Sequence, residues 1–469
     1  MMQLPPRSGA TLAFLMFATA CGPDSRPTLA GPPVAAVNAE RAESGREDGR
    51  STLNAVIASN AQMISSASSL VPPGAPLAPF VEARLYAIAN VAVHDALNAI
   101  DPRFARYADT GPIDREANAA AAALTAAHDA IVGADPGAAS STNAWYATAM
   151  APLAGEEGVA RGVTIGQRAA AAILARRADD HTIGGGVAPY SPGSNPGDYQ
   201  FTFPFNTPGF NFFGTGGFAD ASRWGATVTP FVLSSGTQFR APRPYGAASN
   251  AAAVLTARYT ADFNEVKALG CSGCAARTAE QSEIAIFWEE NSPTGWNRFA
   301  THVAAGRQLN AWDTARLFAV LEIGEFDAYT TSLESKYYYN FWRPVSAVAL
   351  ADADGNPATS SAPGWQVLAF PTPPVPDYPS AHATAGGAAA AIIEALVRGH
   401  GRPISSTSGS LPGVTRTFAT PNDAAIENAL SRIYIGFHFR HATEVGMAQG
   451  RTVGSYVASH ALLPLHDDD

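Results

Sequence analysis

The amino-acid sequence predicts an all-α protein: a helical bundle with an N-terminal helical layer and a long irregular covering segment. Apolar residues recur at helical spacing through an alanine-rich stretch from 52 to 177, and again from about 279 to 338. The alternation of apolar and polar residues that marks strands is nearly absent. Composition agrees with this fold class, since 46% of the residues are hydrophobic and 15% are charged, as expected for a compact, well-buried chain.

The first 50 residues predict an export signal and a tether. An apolar run from about 10 to 20 follows Arg7 and is too short to span a membrane. The run ends in ATAC, which resembles the cleavage box of bacterial lipoproteins, so residues 1–21 are predicted to be an export signal with a lipid on Cys21. Secretion after simple cleavage is the alternative. Residues 22–50 are polar and predicted to be a flexible tether, which places the protein in the periplasm, on a membrane through its lipid, or outside the cell.

Residues 51–180 are predicted to form the N-terminal helical layer. Two segments within it echo each other, HDAL followed by Asp101-Pro102 and HDAI followed by Asp135-Pro136. Each predicts a helix that stops before its proline. Paired His-Asp side chains on neighbouring helices could bind a metal, but hydrogen bonding across the helix pair is the interpretation we favour.

Residues 181–250 are rich in Gly, Pro, Phe and Asn. This composition predicts a long irregular segment that covers the mouth of a site. Residues 251–469 are predicted to form a helical domain that contains the site. Cys271 and Cys274 stand in a C-S-G-C sequence with no second Cys pair for zinc. In an exported chain this spacing favours a local disulfide.

Three fragments of the last third of the chain together predict an anion site. They are KYYYNFWRP at 336–344, PSAH at 379–382 and SRIYIGFH at 431–438. They supply three cations, one hydroxyl and two imidazoles, namely Lys336, Arg343, Arg432, Ser380, His382 and His438. Arginine forks and a lysine point charge suit the equatorial oxygens of phosphate or vanadate, and imidazoles suit the apical positions.

Local signals place these residues on helices. Asp313 is predicted to cap a helix that runs to Pro344, so that Lys336 and Arg343, two turns apart, face one ligand. Ser380 is predicted to be the N-cap of the next helix, whose first amides would point at an anion. Arg432 is predicted to lie on a helix that stops at Gly436, which leaves His438 in a turn.

At these fragments the chain resembles the superfamily of the vanadium-dependent haloperoxidases and the type 2 phosphatidic acid phosphatases. The signature of that superfamily is K-x6-R-P, then P-S-G-H, then S-R-x3-G-x-H-x3-D. The sequence YNFWRPV, followed by PTPPVPDYPS, is similar to the bacterial haloperoxidase-like branch. Weaker likeness extends back to about residue 83.

The resemblance implies a vanadate cofactor and a role for each motif residue. Vanadate would be held by Lys336, Arg343, Ser380, the Ala381 amide, Arg432 and His438. His438 would bind the metal directly, or become the phosphohistidine in a phosphatase, and His382 would be the catalytic acid-base. The substrates would be hydrogen peroxide and halide, or a phosphate ester. A formal net charge of −10 argues against nucleic acid as a partner.

The chain departs from the family pattern at three positions. Ala381 replaces glycine, at little cost to a site that uses the amide. Ala442 replaces the aspartate that orients a site histidine. Glu444 or His441 could substitute for it, and if neither does, phosphatase turnover should suffer most. Val375, seven residues before His382, matches neither the aromatic residue of chloride oxidisers nor the histidine of bromide oxidisers.

Three functions follow in order of preference. The first is a vanadate-dependent haloperoxidase that oxidises halide with hydrogen peroxide. The second is an acid phosphatase with His438 as nucleophile and His382 as acid. The third is a non-catalytic lipoprotein that binds an oxyanion, and Ala442 is its only support.

Overall fold

The structure is a computed structural model that describes residues 34–70, 78–181, 192–206, 221–397, 399 and 402–465. The predicted export signal, Cys21 and the first part of the predicted tether lie outside the described residues. The first helix begins at Val34, inside the segment for which the sequence predicts a tether. The chain divides into two units, residues 1–47 and residues 48–469. No helix among the described residues combines the length and the apolar character that crossing a membrane demands.

The prediction of an all-α fold is confirmed, with 61% helix and 4% strand among the described residues. The helices of the described residues are α1 (Val34–Ser66), α2 (Pro79–Asn98), α3 (Ala119–Ala134), α4 (Ala139–Met150), α5 (Val159–Arg176), α6 (Ala221–Thr227), α7 (Asn250–Ala253), α8 (Ala257–Leu269), α9 (Ala279–Phe287), α10 (Ser292–Arg307), α11 (Ala311–Tyr339), α12 (Pro344–Leu350), α13 (Ala381–Leu396), α14 (Pro421–Tyr434) and α15 (Arg440–His460). One antiparallel hairpin, β1 (Ile404–Thr407) and β2 (Thr415–Phe418), pairs Ile404 with Phe418 and Thr407 with Thr415.

Helices α2, α3 and α5 pack together as the N-terminal layer. The paired His-Asp side chains make local hydrogen bonds there: His94 Nδ1 lies 2.8 Å from Asp95 Oδ1, and His128 Nδ1 lies 2.6 Å from Asp129 Oδ1. Asp95 also accepts hydrogen bonds from the backbone N–H groups of Tyr107 and Ala108, in the loop after α2. Within the described part of the chain, no three His, Cys, Asp or Glu side chains are arranged to hold a metal ion.

Helix α11 is the central element, since it packs against α2 of the N-terminal layer and against α13 and α15 of the C-terminal bundle. Two predictions about its ends were wrong. The N-cap is Asn310, whose side chain accepts from the Asp313 N–H, because a side chain three residues before the amide is in reach of it. The helix ends at Tyr339, where Asn340 takes a left-handed φ of 56°, and Pro344 begins α12 instead of ending α11.

Helices α13 and α15 meet backbone to backbone. A side chain at Gly450 would place its Cβ 1.9 Å from the Thr384 carbonyl oxygen, and one at Gly454 would place it 2.4 Å from the Ala388 carbonyl oxygen. Glycine at helical spacing therefore lets the two axes approach closely. The packing of α13 on α15 places the N-terminus of α13 beside the N-terminal half of α15. Ser380, the N-cap of α13, donates its backbone N–H to the Ala442 carbonyl there.

A disulfide loop supports the turn that carries the third motif. Cys271 and Cys274 are joined in the predicted disulfide. The adjoining Gly270 packs against Gly436, where an added Cβ would lie 2.4 Å from the Gly270 oxygen. Leu368 N–H donates to both the Gly270 and the Ile435 carbonyls at 3.0 Å. Parts of the predicted covering segment, residues 182–191 and 207–220, lie outside the described residues.

Candidate active site

The structure brings the three motif fragments together around the loop that precedes α13. Lys336, in the last turn of α11, donates to the carbonyls of Pro376 (2.6 Å) and Asp377 (2.9 Å). Arg343, at the N-cap of α12, donates from Nε to the Val375 carbonyl at 2.7 Å. Residues 375–377 therefore bind both cations of the first fragment and lead directly into Ser380, which is fully buried.

His438 is bonded at both of its ring nitrogens. Its Nδ1 lies 2.8 Å from Asp377 Oδ1, and its Nε2 lies 3.0 Å from Arg343 Nη1. The imidazole is 4% exposed. It lies in the turn between α14 and α15, as the sequence predicts, and Gly436 precedes it with a positive φ of 88°.

These two contacts determine which nitrogen of His438 carries the proton. A guanidinium can only donate, so Nε2 must offer its lone pair to Arg343. In the neutral ring the proton is then on Nδ1, which donates to Asp377. The tautomer leaves Nε2 unprotonated, with its lone pair accepting from Arg343, so a bound metal or phosphorus would take the place of that contact.

Asp377 is the functional residue that sequence reasoning missed. The expectation that Glu444 or His441 orients a site histidine was wrong. Glu444 is half-exposed and pairs with Arg258 at 2.7 Å, and His441 accepts from the Tyr245 N–H at 2.9 Å. Asp377 lies three residues before Ser380 and is the only carboxylate of the sequence between Asp354 and Glu394, which is the signal that could have found it.

His382 is held differently, by residues that come from the start of α10. Its Nδ1 lies 3.0 Å from the Ser292 hydroxyl. Its Nε2 is buried and has no hydrogen-bond partner among the described residues. The Trp288 carbonyl accepts from Arg432 Nη1 at 2.9 Å. Burial lowers the pKa of His382 well below its usual range and Arg432 lowers it further, while the Trp288 carbonyl raises it. No motif in the sequence pointed to Ser292 or Trp288.

The electrostatics of the site favour an anion. Burial lowers the pKa of Lys336 well below its usual range, and Arg343 lowers it further. Burial also lowers the pKa of Arg432 to about 10 and that of His438 well below its usual range. Burial raises the pKa of Asp377 to about 7, although Arg343 and Lys336 oppose the rise. A bound oxyanion would relieve the charge repulsion among these buried cations.

The donors present fit vanadate or phosphate. Arg432 Nε and His382 Nε2 are both buried without a hydrogen-bond partner among the described residues, and a bound oxyanion would accept from such groups. Ser380 caps α13 by accepting from the Ala383 N–H, so the Ala381 amide belongs to the first turn of that helix, whose N–H groups lack intrahelical acceptors.

Val375, the position compared with the halide-discriminating residue of the family, is also placed by the structure. Its side chain is 5% exposed, and its carbonyl accepts from Arg343. The backbone of this residue therefore orients a site cation. Its small apolar side chain can neither donate a hydrogen bond to a bound group nor stack on one.

Comparison with known proteins agrees with this geometry. Residues 316–466 match the family described as the VCPO second helical-bundle domain. The vanadium chloroperoxidase of Curvularia inaequalis is 30% identical over an alignment of 181 positions, and the match covers 29% of this chain and 29% of that protein. The matched part thus spans less than a third of that relative.

Two solved structures share the fold over most of the chain. A bacterial vanadium-dependent iodoperoxidase superposes with a TM-score of 0.70 at 21% identity, over 90% of this chain and 98% of that one. The apo form of a bacterial vanadium-dependent chloroperoxidase gives 0.64 at 16% identity, over 83% and 95%. At these identities the likeness is one of fold. The chain therefore has the fold of these bacterial proteins over most of its length, and residues 316–466 are similar to the VCPO second helical-bundle domain.

Proposed function

We propose that this protein is a vanadate-dependent haloperoxidase that oxidises halide with hydrogen peroxide. The observation that carries the proposal is the unprotonated His438 Nε2, which the Asp377 and Arg343 contacts fix beside three buried cations. The similarity to an iodoperoxidase and to chloroperoxidases supports it.

Each residue of the chain would have a defined task. Lys336, Arg343 and Arg432 would neutralise the charge of the bound oxyanion, Ser380 and the Ala381 amide would donate hydrogen bonds to it, and His438 would supply a direct ligand. When bound, vanadate supplies a Lewis acid that polarises peroxide. His382 would hold the proton that is exchanged with peroxide, at the Nε2 that has no protein partner among the described residues.

A phosphatase activity is the second candidate, and one observation favours it. A nucleophilic imidazole needs an orienting base, and the Asp377–His438 pair provides one where Ala442 had suggested that it was missing. The same contact removes the support for a non-catalytic oxyanion-binding lipoprotein, since that function rested on Ala442 alone. Vanadate and phosphate share a geometry, so these residues serve either reaction.

One experiment decides between the two activities. The purified full chain is reconstituted with orthovanadate and assayed for oxidation of bromide and iodide by hydrogen peroxide, beside hydrolysis of a phosphate ester. We expect halide oxidation that depends on added vanadate and is lost in His438→Ala. Hydrolysis that vanadate inhibits, with no halide oxidation at any pH, would instead assign the phosphatase function.

The protein is also proposed to be exported and lipidated at Cys21. The Cys271–Cys274 disulfide supports export, because such bonds persist in oxidising compartments. Cell fractionation of the wild type and of Cys21→Ser tests the proposal: the wild type should be found with the membrane and the variant should not. Recovery of the wild type in the cytosol would contradict it.

A further inference from the structure

A line of buried polar side chains runs along one face of α11 towards the site. Its members are spaced three, four, three and four residues apart, which places them on one face of the helix. Each is at most 3% exposed. They are Glu322, Glu325, Tyr329, Ser332 and Lys336, and we refer to them as the polar stripe.

Most of these side chains lack protein partners. Both carboxyl oxygens of Glu325, the Tyr329 hydroxyl and the Ser332 hydroxyl are buried without a hydrogen bond to any described residue. Leaving such groups unbonded in the core costs free energy. Ordered water usually satisfies buried polar groups of this kind. The arrangement holds no metal ion, because no three acidic, His or Cys side chains of the described residues converge on one point.

The site end of the stripe meets His382 through Ser292. The Ser292 hydroxyl lies 3.0 Å from His382 Nδ1. Burial raises the pKa of Tyr329, and the Ser292 hydroxyl lowers it. The Ser292 and Tyr329 hydroxyl groups nevertheless lack the geometry of a full hydrogen bond. Ser292 thus stands between the histidine and the stripe.

The other end of the stripe leads towards the surface. Glu322 Oε1 accepts from Asn297 Nδ2 at 2.7 Å. Glu82 of α2 accepts from Thr294 and from Asn291, and its pKa is raised by burial and also by the charge of Glu290. The Glu290 side chain is 12% exposed, so the carboxyl groups extend from the protein surface into the core.

Burial and neighbouring carboxyl groups raise the pKa values of Glu322 and Glu325. Burial raises the pKa of Glu325 well above its usual range, and Glu322 and Glu82 raise it further. Burial raises the pKa of Glu322 in the same way, with Glu82 adding to the effect and Asn297 opposing it. The groups that act on Tyr329 are Glu325 on its own helix, Glu82 on α2 and Arg432 on α14. Burial therefore favours the protonated form of Glu325, which has a proton to give up.

We propose that the polar stripe, with Glu82 and Ser292, is a proton route from the surface near Glu290 to His382. It rests on the proposed haloperoxidase function, in which halide, hydrogen peroxide and one proton give hypohalous acid and water. Along the route each O–H bond breaks as the next one forms. The Ser292 hydroxyl gives its proton to His382 Nδ1 as the Nε2 proton leaves towards the reacting oxygen. Ser292 regains a proton from Tyr329, and Tyr329 regains one from Glu325. Glu325, left as a carboxylate, regains its proton from the Glu82 side.

The first test compares Glu325→Gln with Glu334→Gln in the vanadate-loaded full chain. Glu334 lies nine residues further along α11, on the opposite face, where it pairs with Arg240. Glu325→Gln should lower kcat on the order of tenfold, less than the loss of an acid-base residue. The loss should grow as pH rises and protons become scarce, with vanadate affinity unchanged. Glu334→Gln should keep the wild-type pH profile. Equal losses in both variants at every pH would overturn the proposal.

The second test does not depend on turnover. Infrared spectra of the phosphate-bound protein in water and in deuterium oxide should show the carbonyl stretch of a buried, exchangeable carboxylic acid. The band should be equally strong in the wild type and in Glu334→Gln and should lose intensity in Glu325→Gln, where the buried acid Glu322 still contributes to it. If the wild type oxidises no halide, the proposed function fails, yet this band still reports on Glu325. An unchanged band in Glu325→Gln would exclude it as the stored acid.

Discussion

His438 and His382 lie in one site but have different partners. The described residues bond His438 at both ring nitrogens, to Asp377 and Arg343, but bond His382 only at Nδ1, to the neutral Ser292 hydroxyl. A carboxylate partner fixes the tautomer and raises the basicity of a ring. A hydroxyl partner can donate or accept, so it lets the ring gain and lose a proton. The difference indicates that one imidazole is built as a ligand or nucleophile and the other as an acid-base.

The largest effect is expected for His438→Ala. This change removes the ring nitrogen that would bind the metal or attack phosphorus, so all activity that depends on a bound oxyanion should disappear. Isothermal titration with vanadate should show a matching loss of affinity. Vanadate binding at wild-type strength would show that His438 is not the apical ligand.

His382→Ala should have the next largest effect and should separate the two roles. Loss of a general acid-base typically lowers kcat by about 10²–10⁴-fold, while vanadate affinity should stay near the wild-type value because the anion keeps its cations and His438. The same titration and a steady-state assay check both. Parallel losses of affinity in the His382 and His438 variants would contradict separate roles.

Ser292→Ala should be milder, because it removes the partner of His382 and leaves the ring in place. We expect a loss of kcat on the order of tenfold, in line with changes to groups that orient a site residue. Ser292→Thr keeps the hydroxyl and serves as the matched variant. Restored activity in Ser292→Thr, with a shifted pH profile in Ser292→Ala alone, would support a positioning role. Equal loss in both would point to packing.

The smallest effect is expected for Ala442→Asp, which restores the family residue. His438 Nδ1 has one proton to donate, and Asp377 already accepts it. Vanadate affinity and kcat should therefore not rise above the wild-type values. A clear gain in either would mean that the Asp377 contact does not orient the ring.

The sequence predicted the fold class and the convergence of the motif residues because helical periodicity and motif spacing are local signals. Ser380 is the N-cap of α13, and His438 follows the end of α14 in a turn, as predicted. The end of α11 was predicted wrongly, since Asn340 can adopt the left-handed conformation that ends a helix, and this happens four residues before Pro344.

The partners of the two histidines could not be predicted, because they come from positions far along the chain. Asp377 and His438 are 61 residues apart, and Ser292 and His382 are 90 apart. The family signature places its carboxylate four residues after the histidine, and in this chain that position is Ala442. Here the carboxylate reaches the same ring from the loop before α13, and only tertiary structure brings the two together.

The most direct test of this account is the vanadate affinity of Asp377→Asn beside that of Glu444→Gln, measured by titration of the purified full chain. Both changes remove one negative charge by an isosteric amide, but only Asp377 contacts His438. We predict that Asp377→Asn weakens vanadate binding by about 10–100-fold, as expected for the partner of a ligating histidine, and that Glu444→Gln binds as the wild type does. Weaker binding in Glu444→Gln with no change in Asp377→Asn would contradict the account.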